Sequence, residues 1–201
     1  MNFKKNPVKV IGASILVLSL CAYVGFNADI LPGNHATWSQ YAGGPDQSKY
    51  FETKQITKKN VNQLKVAWVY PVLDSAGQNG FSPIVVDSIM YLMAKNSSLI
   101  AISARTGKEI WIHANLQGLT RRGINYWESK DKKDKRLVFT LNNSIQEIDA
   151  MTGKSVMTFG TNGYVDMREG LDREPTSTRR MQSMIPGVLY DDLLIIGSAP
   201  G

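Results

Sequence analysis

The sequence predicts an all-β fold built from repeated small sheets, most simply the blades of a propeller. The first observation is a repeat. Residues 91–110, YLMAKNSSLIAISARTGKEI, align without a gap on residues 137–156, LVFTLNNSIQEIDAMTGKSV, at an offset of 46 residues. Asn96 matches Asn142, Ser98 matches Ser144, Ile102 matches Ile148, Ala104 matches Ala150, and Thr106-Gly107-Lys108 matches Thr152-Gly153-Lys154. A period of this size is the signature of an array of small β units. The second observation is run length. Ile84-Val85-Val86, Ile89-Met90-Tyr91-Leu92 and Leu137-Val138-Phe139 are short and stop at Asp87-Ser88, Asn96-Ser97-Ser98 and Asn142-Asn143-Ser144. Short apolar runs between such residues read as hairpin strands. The third is a further copy, Val188–Gly197, which resembles Ile84–Leu92.

The N-terminus is different in kind. Met1–Lys9 is basic, with Lys4, Lys5 and Lys9, and Val10–Phe26 is a 17-residue run without charge. An uncleaved anchor needs about 17–25 apolar residues, whereas a cleaved signal needs a small-x-small site. Phe26 stands where that site before Ala28 needs a small residue, and Leu20 is too large for the lipobox outline at Leu18–Cys21. Residues 1–29 are therefore read as a hydrophobic helix acting as a signal-anchor, with a signal peptide as the alternative, and residues 30–201 as propeller. Lysines ahead of the run predict a cytoplasmic N-terminus. The propeller would then be inner-membrane anchored in the periplasm, or secreted to the periplasm if the signal is cleaved.

Within the repeat, the order is strand, hairpin, strand, Thr-Gly turn, strand. Gly107 and Gly153 fall where a turn needs positive φ. Glu109-Ile110-Trp111 then resumes an extended run. A large planar side chain such as Trp111 can pack between neighbouring sheets. Met157 stands at the matching point of the next repeat, so that contact is altered there. Trp38, Trp68 and Trp127 are expected to be core-packing residues.

Composition excludes several classes. The chain has 201 residues, 43% hydrophobic and 20% charged, with a net charge of +6. The positive charges are scattered through loops such as Lys130–Arg136 and Arg173–Arg180, with no basic helix, so no nucleic-acid partner is expected. One cysteine and two distant histidines, His35 and His113, give neither a disulfide framework nor zinc spacing. Neither a phosphate-binding glycine loop nor a nucleophile-elbow motif is present.

Several segments resemble the quinoprotein dehydrogenases, enzymes that use pyrroloquinoline quinone (PQQ). Trp38–Gly44, Lys49-Tyr50 and Gln55–Trp68 are similar to the opening of that family. Ala101–Trp111 is similar to its tryptophan docking motif, and Arg122-Gly123-Ile124-Asn125-Tyr126-Trp127 to its Arg-Gly-x-x-Tyr-Trp segment. Phe159–Arg168 resembles a stretch of the membrane-bound glucose-dehydrogenase-like branch. The resemblance covers about residues 37–201. It implies a partial β-propeller: two blades plus the start of a third of an eight-bladed wheel carrying the quinone on its axis.

By motif position the resemblance makes Arg122 a cofactor-contacting arginine, with a solvated pair with Arg121 as the alternative. A guanidinium suits the quinone's carboxylates because it offers planar bidentate donors and keeps its charge. The same resemblance gives Ser183 a cofactor-binding hydroxyl or a turn role, and places Ser198 or Ala199 at the next contact segment. No catalytic and no metal-binding residue is assigned within this chain.

Departures from the family pattern matter. Gly80 stands three residues before Pro83, where many members have a glutamate. Leu116 and Gln117 stand where alcohol-oxidising members carry adjacent cysteines, which tilts the reading towards sugar oxidation. Calcium ligands and the catalytic base are expected beyond the C-terminus. The expected function is the N-terminal portion of a PQQ-dependent dehydrogenase oxidising a sugar or alcohol in the periplasm. Its acceptor would be membrane quinone or a cytochrome, with a second chain as one way to complete the propeller. Alone, the chain is expected to be catalytically silent. The competing expectation is a non-catalytic propeller scaffold of the outer-membrane assembly type.

Overall fold

The computed structural model describes residues 35–72, 80–172, 174, 181–197 and 199–200. The chain divides into two units, residues 1–32 and 33–201. The predicted N-terminal helix lies outside the described residues. Among the described residues, no helix is long and apolar enough to cross a membrane.

The first sheet has four antiparallel strands in sequence order: β1 (Ile84–Val86), β2 (Ile89–Ala94), β3 (Ser98–Ser103) and β4 (Glu109–His113). The second repeats that order with β5 (Asn125–Glu128), β6 (Lys135–Leu141), β7 (Ser144–Asp149) and β8 (Tyr164–Asp166). A short pair follows, β9 (Met181–Gln182) with β12 (Ala199–Pro200), and a hairpin of β10 (Val188–Tyr190) and β11 (Leu193–Ile195) opens the third unit. The two Thr-Gly turns connect equivalent strands, and Gly107 (φ 70) and Gly153 (φ 72) both adopt the left-handed conformation. Among the described residues the fold is all-β, with two short 3-10 turns and no α-helix.

The sheets stack through apolar faces. Strand β3 is buried along nearly its whole length because it is covered on both sides. Its Leu99 and Ala101, with Ile84 and Tyr91, pack on Leu137, Phe139, Ile148 and Ala150 of the second sheet. Its Ile100 and Ile102 face the other way, with Trp68 and Tyr70 packed against them. Trp68 lies in an extended segment without a ladder partner, and its indole N–H donates to the Ala104 carbonyl at 3.0 Å. Trp111 does the same to Ala150, also at 3.0 Å. Trp38 and Trp127 are half-buried as well: Trp38 donates to the Pro83 carbonyl at 3.1 Å, and Trp127 to the Asp192 carboxylate at 2.9 Å.

Two details differ from a gapless repeat. Three residues join β2 to β3, but only Asn142-Asn143 join β6 to β7. Strand β7 therefore matches β3 at 46 residues, while β6 matches β2 at 47. The second sheet also breaks after Val156, where a loop through Phe159-Gly160 leads to β8. Met157 sits on that loop, 61% exposed, and makes no contact equivalent to that of Trp111 among the described residues.

Candidate functional site

The starts of three first strands meet at one place. The Ser82 N–H, ahead of β1, donates to the Arg122 carbonyl, ahead of β5, at 3.2 Å. The Asn125 side-chain amide, in β5, donates to the Pro186 carbonyl, ahead of β10, at 2.5 Å. Gly123 lies between them with φ +150; a methyl group there would stand 3.4 Å from the Ser82 carbonyl and 3.7 Å from the Pro186 ring. Asn125 is buried, and its hydrogen bond satisfies an amide that would otherwise be costly to bury.

Arg122 and Ser183 are brought to this junction from successive sheets, but in different states. The Arg122 side chain is exposed and, among the described residues, makes no ion pair or hydrogen bond. Ser183 is 1% exposed, and its hydroxyl donates to the Ile185 carbonyl at 2.7 Å. It also lies 3.4 Å from the Ile185 N–H. That is the geometry of a serine holding its own turn. Ser198 lies outside the described residues; its neighbour Ala199 pairs with Gln182, so that strand returns beside the segment leading to Ser183. Gly80 is exposed, and a Cβ there would meet nothing within 4 Å. Leu116 is buried in the core between the sheets.

A carboxylate-rich planar group fits this donor set at Arg122, whose fork is solvent-accessible and uncommitted. It does not fit at Ser183 as arranged, because that hydroxyl is already spent on a backbone carbonyl. Among the described residues, no three His, Cys, Asp or Glu side chains are grouped to hold a metal ion.

The residues at this junction fall within a stretch that known proteins share. The family described as "PQQ: Glucose/ethanol/alcohol dehydrogenase, beta-propeller domain" matches residues 38–201. The chain belongs to this family. Quinoprotein glucose dehydrogenase of Gluconobacter oxydans is 27% identical over 190 residues, covering 81% of this chain and 23% of that protein. The dehydrogenase subunit of the quinone alcohol dehydrogenase of Komagataeibacter europaeus is 32% identical over 146 residues, covering 67% of this chain and 18% of that one. Among solved structures, quinohemoprotein alcohol dehydrogenase from Comamonas testosteroni superposes with a TM-score of 0.52 at 26% identity, over 76% of this chain and 22% of that chain. The chain thus spans about a fifth of the length of these quinoprotein relatives.

Sequence reasoning missed two members of the junction. Asn125 was inside the quoted Arg-Gly-x-x-Tyr-Trp segment, yet no local signal tells that its amide crosses to Pro186, 61 positions away. Tyr41 lies in the quoted opening segment, and its ring lies against Gly123.

Proposed function

We propose that this chain forms the first part of the propeller of a PQQ-dependent dehydrogenase that oxidises a sugar or an alcohol. The observation that carries the reading is Arg122, an uncommitted guanidinium at the meeting point of three first strands, in a family defined by this cofactor. In a closed ring, first strands line the axis, so Arg122 would hold a carboxylate of the quinone by a bidentate pair. When bound, PQQ supplies two-electron redox chemistry, aided by a divalent cation such as calcium acting as Lewis acid. This chain's own contribution is anchoring: Arg122 binds, and Gly123, having no side chain, lets the backbone beside it pack close to Tyr41, Ser82 and Pro186.

The finer assignments belong to the same proposal. The wheel has eight blades, completed by residues or a chain outside these 201. The 201 residues alone do not turn over substrate, because they span only about a fifth of the relatives. A sugar substrate is favoured by Leu116 and Gln117 replacing a cysteine pair. The basic N-terminus and the 17-residue apolar run favour an anchored propeller in the periplasm, with membrane quinone or a cytochrome as acceptor.

Titration of the protein as the cell makes it with PQQ in calcium, followed by tryptophan fluorescence, tests the reading. Saturable binding that Arg122→Ala weakens at least roughly tenfold supports it, since a lost charge-assisted pair is worth about 1.5–3 kcal/mol. Absence of binding, or binding indifferent to Arg122→Ala, overturns it.

A further inference from the structure

The loop carrying Tyr41 is fastened by hydrogen bonds and lies beside the Arg122–Gly123 peptide. It is fastened to the first sheet at Trp38: the Val85 N–H donates to the Trp38 carbonyl at 2.8 Å, and the Trp38 indole donates to the Pro83 carbonyl at 3.1 Å. Two residues later the chain turns tightly. The Gly43 N–H donates to the Gln40 carbonyl at 3.0 Å, which makes Tyr41 and Ala42 the two central residues of the turn. Ala42 is buried with φ 57, and its carbonyl accepts from the Lys49 N–H at 2.9 Å, so the turn is held from both sides. Gln40, Tyr41, Gly44 and Pro45 line a small crevice with Asn125, Gly187 and Val188. The loop is therefore bonded to the first strand of the first unit and shares a crevice with the first strands of the other two.

At this turn the Tyr41 ring is half-buried and meets Gly123: a methyl on Gly123 would lie 3.2 Å from Tyr41 Cδ2. The phenol has no hydrogen-bond partner among the described residues, so it is the ring that makes the contact. Without a side chain, glycine has a wider intrinsic range of backbone conformations than other residues, and the peptide that Gly123 shares with Arg122 sets where the Arg122 side chain leaves the backbone. One side of the peptide is fixed by the Ser82 N–H on the Arg122 carbonyl.

We propose that Tyr41 is a positioning residue, whose ring clamps Gly123 and so pre-orders Arg122 for the carboxylate of an anionic planar ligand. This rests on reading Arg122 as the group that holds the cofactor. The physical gain is preorganisation: a guanidinium whose backbone is already fixed loses less freedom on binding.

The test is a double-mutant cycle in the protein as the cell makes it. PQQ affinity in calcium is measured by fluorescence titration for Tyr41→Phe, Tyr41→Ala, Arg122→Ala and Tyr41→Ala/Arg122→Ala, with the cofactor-free melting temperature of each. Tyr41→Leu replaces Tyr41→Ala if the latter does not fold. Tyr41→Ala is expected to weaken PQQ binding roughly tenfold, a preorganisation loss of the size of one ordered side chain. Tyr41→Phe keeps the ring and stays within about twofold, and Tyr41→Ala adds nothing beyond about twofold once Arg122 is gone. Equal losses in both backgrounds would mean that Tyr41 acts independently of Arg122 and overturn the inference. A Tyr41→Phe loss as large as that of Tyr41→Ala would assign the hydroxyl to the ligand and overturn it too. If Arg122→Ala weakens binding and Tyr41→Ala does not, the positioning role falls while the Arg122 reading stands. If Arg122→Ala binds like the parent, or the parent does not bind, the Arg122 reading fails and takes this inference with it.

Discussion

Trp111 lies against Gly153 of the next sheet, and a methyl group on that glycine would come within 2.6 Å of the indole. The same relationship holds one unit earlier between Trp68 and Gly107, at 2.7 Å. In both, the indole N–H reaches a carbonyl three residues before the glycine, that of Ala150 or Ala104. The Thr-Gly turn is thus a docking socket as well as a turn. Its glycine is required twice, for positive φ and for the space under the indole.

Gly153→Ala should therefore destabilise the chain by at least about 1–2 kcal/mol, the cost of forcing a residue with a Cβ into the left-handed region. Trp111→Phe should cost about 1 kcal/mol, the net worth of one hydrogen bond. Trp111→Ala should cost about 3 kcal/mol, in the range for buried aromatic truncation. Urea unfolding at constant slope measures all three. A neutral Gly153→Ala would mean that the turn does not hold this position in the left-handed region beneath the indole.

Gln146 is fully buried on the face of β7 turned to the first sheet, opposite Phe139. Its Nε2 donates to Ser155 Oγ at 3.1 Å, but its Oε1 has no partner. The matching residue of the first sheet is Ile100, also fully buried. An unpaired buried acceptor costs about 1–3 kcal/mol. Gln146→Leu should then leave stability unchanged or raise it by about 1 kcal/mol, despite removing a hydrogen bond. A loss above about 2 kcal/mol in thermal or urea unfolding would mean that the amide is satisfied in solution, for instance by a buried water.

These residues also show what could be read in advance. The Thr-Gly-Lys turns were legible because turn chemistry acts through neighbours in sequence, and the Trp111 packing because a large planar side chain in a repeated sheet finds its burial against the next one. The family opening Trp38–Trp68 was legible as a pattern, though not its contacts. What escaped was the register of β6. A gapless alignment sets Tyr91 on Leu137, yet Tyr91 faces the second sheet while Leu137 faces the first. One residue fewer in the β6–β7 turn shifts the whole strand, and with a side-chain period of two a single step exchanges the faces. The site itself was half legible. Arg122 could be named from its motif, but the approach of Tyr41 to Gly123 and the hydrogen bond of Asn125 to Pro186 depend on distant backbone that no local pattern encodes.

Ser183 and Arg122 predict opposite behaviour on mutation. Ser183→Ala removes the hydroxyl that donates to the Ile185 carbonyl and should cost about 1 kcal/mol of stability, with PQQ affinity unchanged. Arg122→Ala removes no contact among the described residues and should leave stability within about 0.5 kcal/mol, with PQQ affinity reduced. Melting temperature and PQQ titration on the same two variants separate the roles. A Ser183→Ala variant that folds normally but loses affinity would return that hydroxyl to the cofactor.

Acid sensitivity should come from two arginine-paired carboxylates of the second sheet, Asp134 and Asp166. Arg136 lies 5.3 Å over the Trp127 ring and pairs with Asp134 at 2.5 Å and Glu147 at 2.6 Å. Hydrogen bonding from Arg136 holds the Asp134 carboxyl below the usual aspartate value of 3.8, and Arg168 does the same for Asp166. A carboxyl whose folded pKa is depressed binds its proton more readily when unfolded. Its stabilisation is therefore complete above 3.8 and is lost as the pH falls below that value through the folded pKa. Unfolding free energy should accordingly be flat in these terms near neutrality and fall on acidification below about pH 4. Arg136→Ala should cost about 2 kcal/mol at neutral pH, because the half-buried Glu147 loses its charge-assisted partner. It should also make the acid limb shallower, since Asp134 then titrates alike in both states. An acid limb as steep as that of the parent would mean that Asp134 takes no part in it.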